Sequence, residues 1–389
     1  MAGTCSYTCP PGQTLCGGDA GPTICSNTTN DAANCGACGK ACNANNAVST
    51  CTEGACQIVV CSPGFADCNG DPSDGCEVDL QNDTNNCNRC THGCCGGTCS
   101  SGVCQPVALV SNVSTPGNIV ADATSIYWIA NRDTINECAT SSCTSPTVLA
   151  SAQSEAIGIA VDATNVYWTN SDSGTVVECA IGGCGGSPTV LASSQEGPTG
   201  IVVDAKNAYW MDADNGMVGV CAVGGCSGAP TTLASGQYSN AIAVDALNAY
   251  WFNVHSIEAC TKSSSNCSPS VLATNLPQAL ALVVDATSNL FWTSSDGTVM
   301  KCSAGTYCGT TLAQLASGQN NPTGIAIDAL NVYWTDSSYG GNVLACAKAG
   351  CGVPTTLATD TGAIPNGIAV DSSCVYWTDT NGVMKVAKP

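Results

Sequence analysis

The chain has 389 residues, 31 of them cysteine and 42 glycine, and its 29 acidic side chains against 9 basic ones give a net charge of −20. With 10% charged and 44% hydrophobic residues it is too apolar for intrinsic disorder. So few bases exclude binding to a nucleic-acid backbone, whose affinity comes from counterions released to Lys and Arg. No stretch approaches the roughly 18 consecutive apolar residues that a bilayer span needs, so no membrane span is expected.

So many cysteines are incompatible with a reducing cytosol. A secreted or cell-surface location follows. The first thirty residues lack the charged start and apolar run of a signal peptide, so an export signal is expected to have preceded Met1.

Residues 1–105 carry 18 of the cysteines and few Ile, Leu or Phe. Such a segment cannot bury an adequate apolar core, and a disulfide-stapled, loop-dominated domain is expected, each bridge contributing about 2–4 kcal/mol. It is a duplication, with repeats near 5–57 and 58–105. Cys9, Cys16, Cys25, Cys35, Cys38, Cys42, Cys51 and Cys56 match in order Cys61, Cys68, Cys76, Cys87, Cys90, Cys94, Cys99 and Cys104. Cys5 and Cys95 are left over and are predicted to pair with each other; the connectivity of the rest stays open.

The Cys-x-x-Cys pairs at 35/38 and 87/90 have zinc-ligand spacing, but in an extracellular chain disulfides are the expected use. Asp67, Asn69, Asp71, Asp74 and Glu77 have calcium-like oxygen spacing, with Pro72 where an EF-hand loop has its glycine. The stretch is either a calcium loop or a solvated turn. No other cofactor is implied.

From residue 106 a unit of about 41 residues repeats seven times. Its anchors are Asp122, Asp162, Asp204, Asp245, Asp285, Asp328 and Asp371. Six residues after each, or seven in the fifth copy, comes Trp128, Trp168, Trp210, Trp251, Trp292, Trp334 or Trp377. A period of roughly 40–45 residues with several short apolar runs per copy predicts an all-β, seven-bladed β-propeller over 106–389. The seventh copy has no outer strand, while Val107–Val110 precedes the first, so that segment is predicted to complete the last blade and close the ring.

Six copies carry a cysteine pair near the end of the third strand: Cys138–Cys143, Cys179–Cys184, Cys221–Cys226, Cys260–Cys267, Cys302–Cys308 and Cys346–Cys351. Each is expected to form a disulfide that clips the hairpin between the third and fourth strands, bracing a single blade. Cys374 is then the odd cysteine, expected as a buried, inert thiol.

Tyr333-Trp334-Thr335-Asp336 and Tyr376-Trp377-Thr378-Asp379, each preceded by Gly-Ile-Ala-(Ile/Val)-Asp, resemble the YWTD repeats of low-density-lipoprotein-receptor-type propellers. The repeat is more distantly similar to NHL-type and streptogramin-lyase-type propellers. Those YWTD rings typically have six blades and an EGF-like neighbour, so the resemblance implies architecture and not receptor function. Cys-Gly-Ala-Cys-Gly-Lys-Ala-Cys at 35–42 and Asp-Gly-Cys-Glu-Val-Asp at 74–79 resemble segments of secreted or lipid-anchored surface proteins of predatory, multicellular soil bacteria.

Chemistry is sparsely provided for. The histidines are His92 and His255, and no nucleophile and base recur together. Streptogramin-type lyases use a histidine and a metal, which leaves His255 as the propeller's candidate for lyase or hydrolase chemistry, or as a surface-loop histidine. The repeated aspartates are expected to accept backbone hydrogen bonds at turns, and the tryptophans to form inter-blade core. Gln153, Gln195, Gln237 and Gln319, followed in two copies by Tyr238 and Asn320, precede the first strands on the face where a propeller channel opens. Hairpins carrying Asp172, Asp214, Asp296 and Asp379 share that face. A ring of weak polar sites suits carbohydrate or another repetitive ligand through avidity; solvated turns are the alternative. The expected role is a non-enzymatic recognition or adhesion module for an extracellular glycan or protein, with self-association in a surface or matrix assembly as the rival.

Overall fold

A computed structural model describes residues 8–17, 23–42, 44–226, 229–305, 307–359 and 363–389. The chain separates into two units, Met1–Gln105 and Pro106–Pro389. Among the described residues no helix is long and apolar enough to cross a membrane.

The larger unit consists of seven four-stranded antiparallel sheets, the blades of a propeller. In the second blade the strands are Ala156–Val161, Asn165–Asn170, Thr175–Ala180 and Thr189–Ala192, from the axis outwards. The seventh blade takes its outer strand from the other end of the chain. Val107–Ser111 pairs with Gly382–Ala387, placing Val110 opposite Val383 and Val107 opposite Lys385.

The residues that recur in every copy are those that build it. Asp162 Oδ1 accepts the backbone N–H groups of Thr164 (2.7 Å) and Asn165 (2.8 Å), and its Oδ2 accepts the Tyr167 hydroxyl (2.8 Å). The carboxylate thus holds the turn between first and second strands and anchors the second strand to it. Asp328 repeats this with Leu330, Asn331 and Tyr333. Burial pushes its carboxyl up, but Lys388 and these donors outweigh burial and hold it at about 2.

Trp168, Trp210, Trp251, Trp292 and Trp334 pack on the preceding blade. Trp168 is buried among Tyr127, Ile129 and Leu149, and Trp251 among Tyr209, Met211 and Leu233. The threonine after Trp168 makes the backbone link. Thr169 Oγ1 accepts from Gly158 N–H of its own blade (3.0 Å) and donates to the Thr199 carbonyl of the next (2.6 Å). Thr378 does the same between Gly367 and Gly117, carrying the seam from the seventh blade to the first. The glycine of the Gly-Ile-Ala motif is required by this approach, because a Cβ on Gly158 would lie 2.2 Å from the Thr199 carbonyl oxygen.

The six hairpin cysteine pairs are disulfide-bonded: Cys138–Cys143, Cys179–Cys184, Cys221–Cys226, Cys260–Cys267, Cys302–Cys308 and Cys346–Cys351. Expected to brace individual blades more than the ring, several also touch the blade before them. Cys226 Sγ lies 3.2 Å from the Leu191 carbonyl of the preceding blade, and Cys184 Sγ 3.7 Å from that of Leu149. Cys351 Sγ approaches the Leu315 carbonyl in the same way, at 4.0 Å. The hairpin folds back over its neighbour, so these clips seal seams as well. The pair Cys302–Cys308 differs in setting: Cys308 opens the short helix Cys308–Thr311, which stands between the third and fourth strands of the fifth blade.

In the smaller unit the first repeat is bonded 9–25, 16–38, 35–51 and 42–56. The second is bonded 61–76, 68–90, 87–99 and 94–104. The two repeats therefore have the same connectivity, position for position, and neither Cys-x-x-Cys pair bonds internally. The buried described residues here are mostly cysteines, among them Cys35, Cys76, Cys87 and Cys94: sulfur takes the place of an aliphatic core. Cys374 is disulfide-bonded, which overturns the expectation of a free thiol at that position. That expectation rests on a count, eighteen cysteines in the smaller unit and twelve in the clips, and a count does not fix partners; of the predicted Cys5–Cys95 pair, Cys95 is disulfide-bonded. Cys5 lies outside the described residues.

Candidate functional site

The first strands of the blades line an axial channel. One aliphatic side chain per blade, from Ile119 and Ile159 round to Ile368, stands opposite that blade's tryptophan in the strand register and borders a cavity of about 370 Å³. Nearer the start of these strands Asn118, Asn240, Thr323 and Asn366 line the same cavity. They form a polar collar over an apolar throat. Asn118 is tied down, its Nδ2 donating to the Ile157 carbonyl at 2.9 Å.

The four glutamines do lie on this face, but their amides are engaged within the fold. Gln153, Gln195, Gln237 and Gln319 accept through Oε1 from the indole N–H of Trp168, Trp210, Trp251 and Trp334, at 2.9, 3.1, 2.7 and 2.9 Å. Each Nε2 donates to a serine carbonyl two residues earlier. They recur because they latch the connection between blades to the buried tryptophan. The three tryptophans without such a glutamine, Trp128, Trp292 and Trp377, have no partner for their indole N–H. Val113 and Leu276 occupy the corresponding place in the first and fifth copies; in the seventh, residues 360–362 lie outside the described residues.

A prediction follows. Gln195→Ala should lower stability by about 1–2 kcal/mol, because it orphans a buried donor. Leu276→Gln, which offers Trp292 an acceptor at the cost of apolar burial, should be far less damaging than an ordinary core Leu-to-polar change. Thermal melts of the two variants check both.

The last residue of each second strand lies under the same face. Asp336 Oδ2 accepts from Asn320 N–H (3.2 Å), yet its Oδ1 is buried without a partner, as is Asp212 Oδ1. Burial pushes both carboxyls up. In the second blade Asn170 fills this position and donates to Gln153 Oε1 at 3.1 Å. Asp336→Asn should therefore raise the melting temperature at neutral pH. A folded-state pKa above the unfolded value means that stability falls as pH rises through it, so the gain should shrink on acidification; melts between about pH 4 and 7 read it.

Of the hairpin carboxylates, Asp172, Asp214 and Asp296 are exposed. Asp379 is buried and accepts the N–H groups of Asn381 and Gly382. Arg132 pairs with Glu155 on this face, leaving it predominantly acidic. Aromatic surface comes from two tyrosines: Tyr238, in the connection into the fourth blade, is 58% exposed, and Tyr339, in a hairpin of the sixth, is 81% exposed. Every tryptophan is buried. Tyr339, Asn118, Asn240 and Asn366 escaped notice in the sequence because they do not recur in every copy. Incomplete recurrence inside a strict repeat was the signal that could have found them.

His255 is exposed, with Nδ1 3.0 Å from the Leu276 carbonyl. In the acidic stretch of the smaller unit, Asp67 and Asp71 accept the N–H groups of Gly70 and Ser73, Asn69 accepts from Asp71 N–H and donates to Asp74, and Glu77 accepts from Cys68 N–H. Among the described residues no three of these carboxylates bring oxygens within 4.8 Å of one another. The sulfur clusters Cys35/Cys42/Cys56 and Cys87/Cys94/Cys99 do, and their sulfurs are disulfide-bonded.

No protein-family model matches the chain, and no curated protein matches it by sequence. Solved structures do match. A catalytically inactive variant of virginiamycin B lyase from Staphylococcus aureus with quinupristin superposes with TM-score 0.61 at 12% identity, over 73% of this chain and 99% of that one. YCF48 bound to D1 peptide gives 0.55 at 10% identity, over 73% and 94%. The computationally designed Ika8 protein gives 0.52 at 16%, over 72% and 98%. These are likenesses of fold. The chain is a seven-bladed propeller, a scaffold on which binding faces are common, and its density of disulfides favours an extracellular location.

Proposed function

We propose that the protein is an extracellular, non-enzymatic recognition module that binds a glycan at the channel face. The observation that carries this reading is the pairing of an open, asparagine-collared channel mouth with two exposed tyrosines on the same face. Exposed aromatic rings stack on the apolar faces of sugars, and asparagines both donate to and accept from hydroxyls. The surrounding carboxylates select against anionic polymers, so neutral or amino-bearing glycans are the class expected. Tyr238 keeps the role expected of it from the sequence; the glutamines become the frame that positions it.

A glycan array probed with the purified, oxidised protein tests this. Binding to neutral or amino sugars, with acidic glycans blank, supports it. A blank array, or binding confined to acidic glycans, overturns it in favour of a protein partner or self-assembly.

A further inference from the structure

The face opposite the channel mouth carries the turns of the repeated aspartates. There each blade meets its successor at a seam formed by the aspartate and aromatic ring of one blade and the residue following the third strand of the next. In three seams that residue is lysine. Lys262 Nζ lies 2.7 Å from Asp204 Oδ2, bonds the Asp245 carbonyl, and stands 5.8 Å from the centre of the Tyr209 ring. Lys348 reaches Asp285 over Phe291, and Lys388 reaches Asp328 over Tyr333, in the same way. The seam is thus a cation site that the chain itself fills.

Between the second and third blades the equivalent residue is Val223. Its N–H bonds the Lys206 carbonyl as that of Lys262 bonds Leu247, so the backbone is unchanged and the ammonium is gone. A second carboxylate has been added instead. Glu178 lies opposite Tyr167 in the strand register, is 9% exposed, and has no partner for its Oε2. Burial raises its carboxyl, the Gly224 N–H opposing and the Asp162 charge adding to the rise. Lys206, the basic residue of the neighbouring turn, is exposed. Two carboxylates held together with one buried oxygen unpartnered are costly unless a positive charge joins them.

We propose that this seam binds a divalent cation of the calcium type. The donors are Asp162 Oδ2, Glu178 Oε2 and the backbone carbonyl of Asp204, the counterpart of the Asp245 carbonyl that Lys262 engages. An all-oxygen set with two carboxylates is what calcium takes, water completing its roughly six to eight ligands. The cation does for the second and third blades what lysine does at three of the other seams.

The test uses the full oxidised chain, calcium chloride against chelator, and terbium as a luminescent probe excited through Tyr167 and its neighbours. Calcium should raise the melting temperature of the wild type, and terbium emission should appear. Glu178→Gln, which keeps shape and removes the charge, should weaken the response at least tenfold. Val223→Lys should melt without calcium as the loaded wild type does, and should stop responding. Wild type and Glu178→Gln responding alike, to calcium or to nothing, overturns the proposal. So does a wild type stabilised by acidification alone, which would place a proton on Glu178 instead.

Discussion

Deleting residues 106–111 is expected to abolish the cooperative melting of the propeller. The segment contributes the outer strand of the seventh blade, so its loss exposes Gly382–Ala387 as a bare sheet edge and removes the buried Leu109 and Val110. Four register pairs disappear. At about 1 kcal/mol per ladder hydrogen bond and roughly 1.5–3 kcal/mol per aliphatic side chain, the loss is comparable with the whole stability of an ordinary domain, about 5–15 kcal/mol. The side-chain bonds that still cross from the seventh blade to the first, Thr378 to the Gly117 carbonyl and Lys385 Nζ to the Thr140 carbonyl (3.0 Å), cannot replace the strand. A calorimetric trace that keeps the full transition would refute closure by this segment.

Trp334→Ala should cost about 3–5 kcal/mol, a fall in melting temperature of roughly 10 °C for a unit of this size. The ring is fully buried, packing on Phe291 and Leu315 of the preceding blade, and its N–H is the partner of Gln319. The substitution therefore opens a cavity at a seam and orphans an amide as well. Trp292→Ala, whose indole N–H has no partner, opens a similar cavity without breaking such a bond and should cost less. Equal losses in the two variants would show that the glutamine latch contributes nothing measurable.

The architecture was legible because a propeller must be written many times. Asp162, Tyr167, Trp168 and Thr169 recur at fixed spacing since each seam poses the same packing and hydrogen-bonding problem. Ring closure was legible from an orphan Val-Ala-Leu-Val facing a copy with no outer strand. Hairpin pairs such as Cys179–Cys184 were legible because they are close in sequence and recur at one place in the blade. Their contact with the preceding blade was not, since it depends on how the hairpin folds back. The disulfide partners of the smaller unit were not legible either, because bridges between residues such as Cys16 and Cys38 depend on how loops cross in space. Nor was the state of Cys374.

The candidate site was read less well, for a physical reason. Recurrence in Gln153, Gln195, Gln237 and Gln319 suggested a ring of ligand contacts, whereas a residue that recurs in a repeat fold is one that the repeat needs. Specificity has to come from positions that differ between copies. Asn240 and Asn366 stand where other blades have Thr199 or Leu280, and Tyr339 has no counterpart. The lysines of the opposite face make the same point, for Lys262 and Val223 are equivalent positions whose difference sets the charge of two seams.

The measurement that bears most directly on this division of labour is a paired one on the Tyr238→Ala/Asn240→Ala/Tyr339→Ala/Asn366→Ala variant: a thermal melt and a glycan array on the same sample. A melt unchanged from the wild type together with loss of the wild-type array signal is the predicted result. An unchanged array signal would contradict it, because recognition would then lie elsewhere on the molecule.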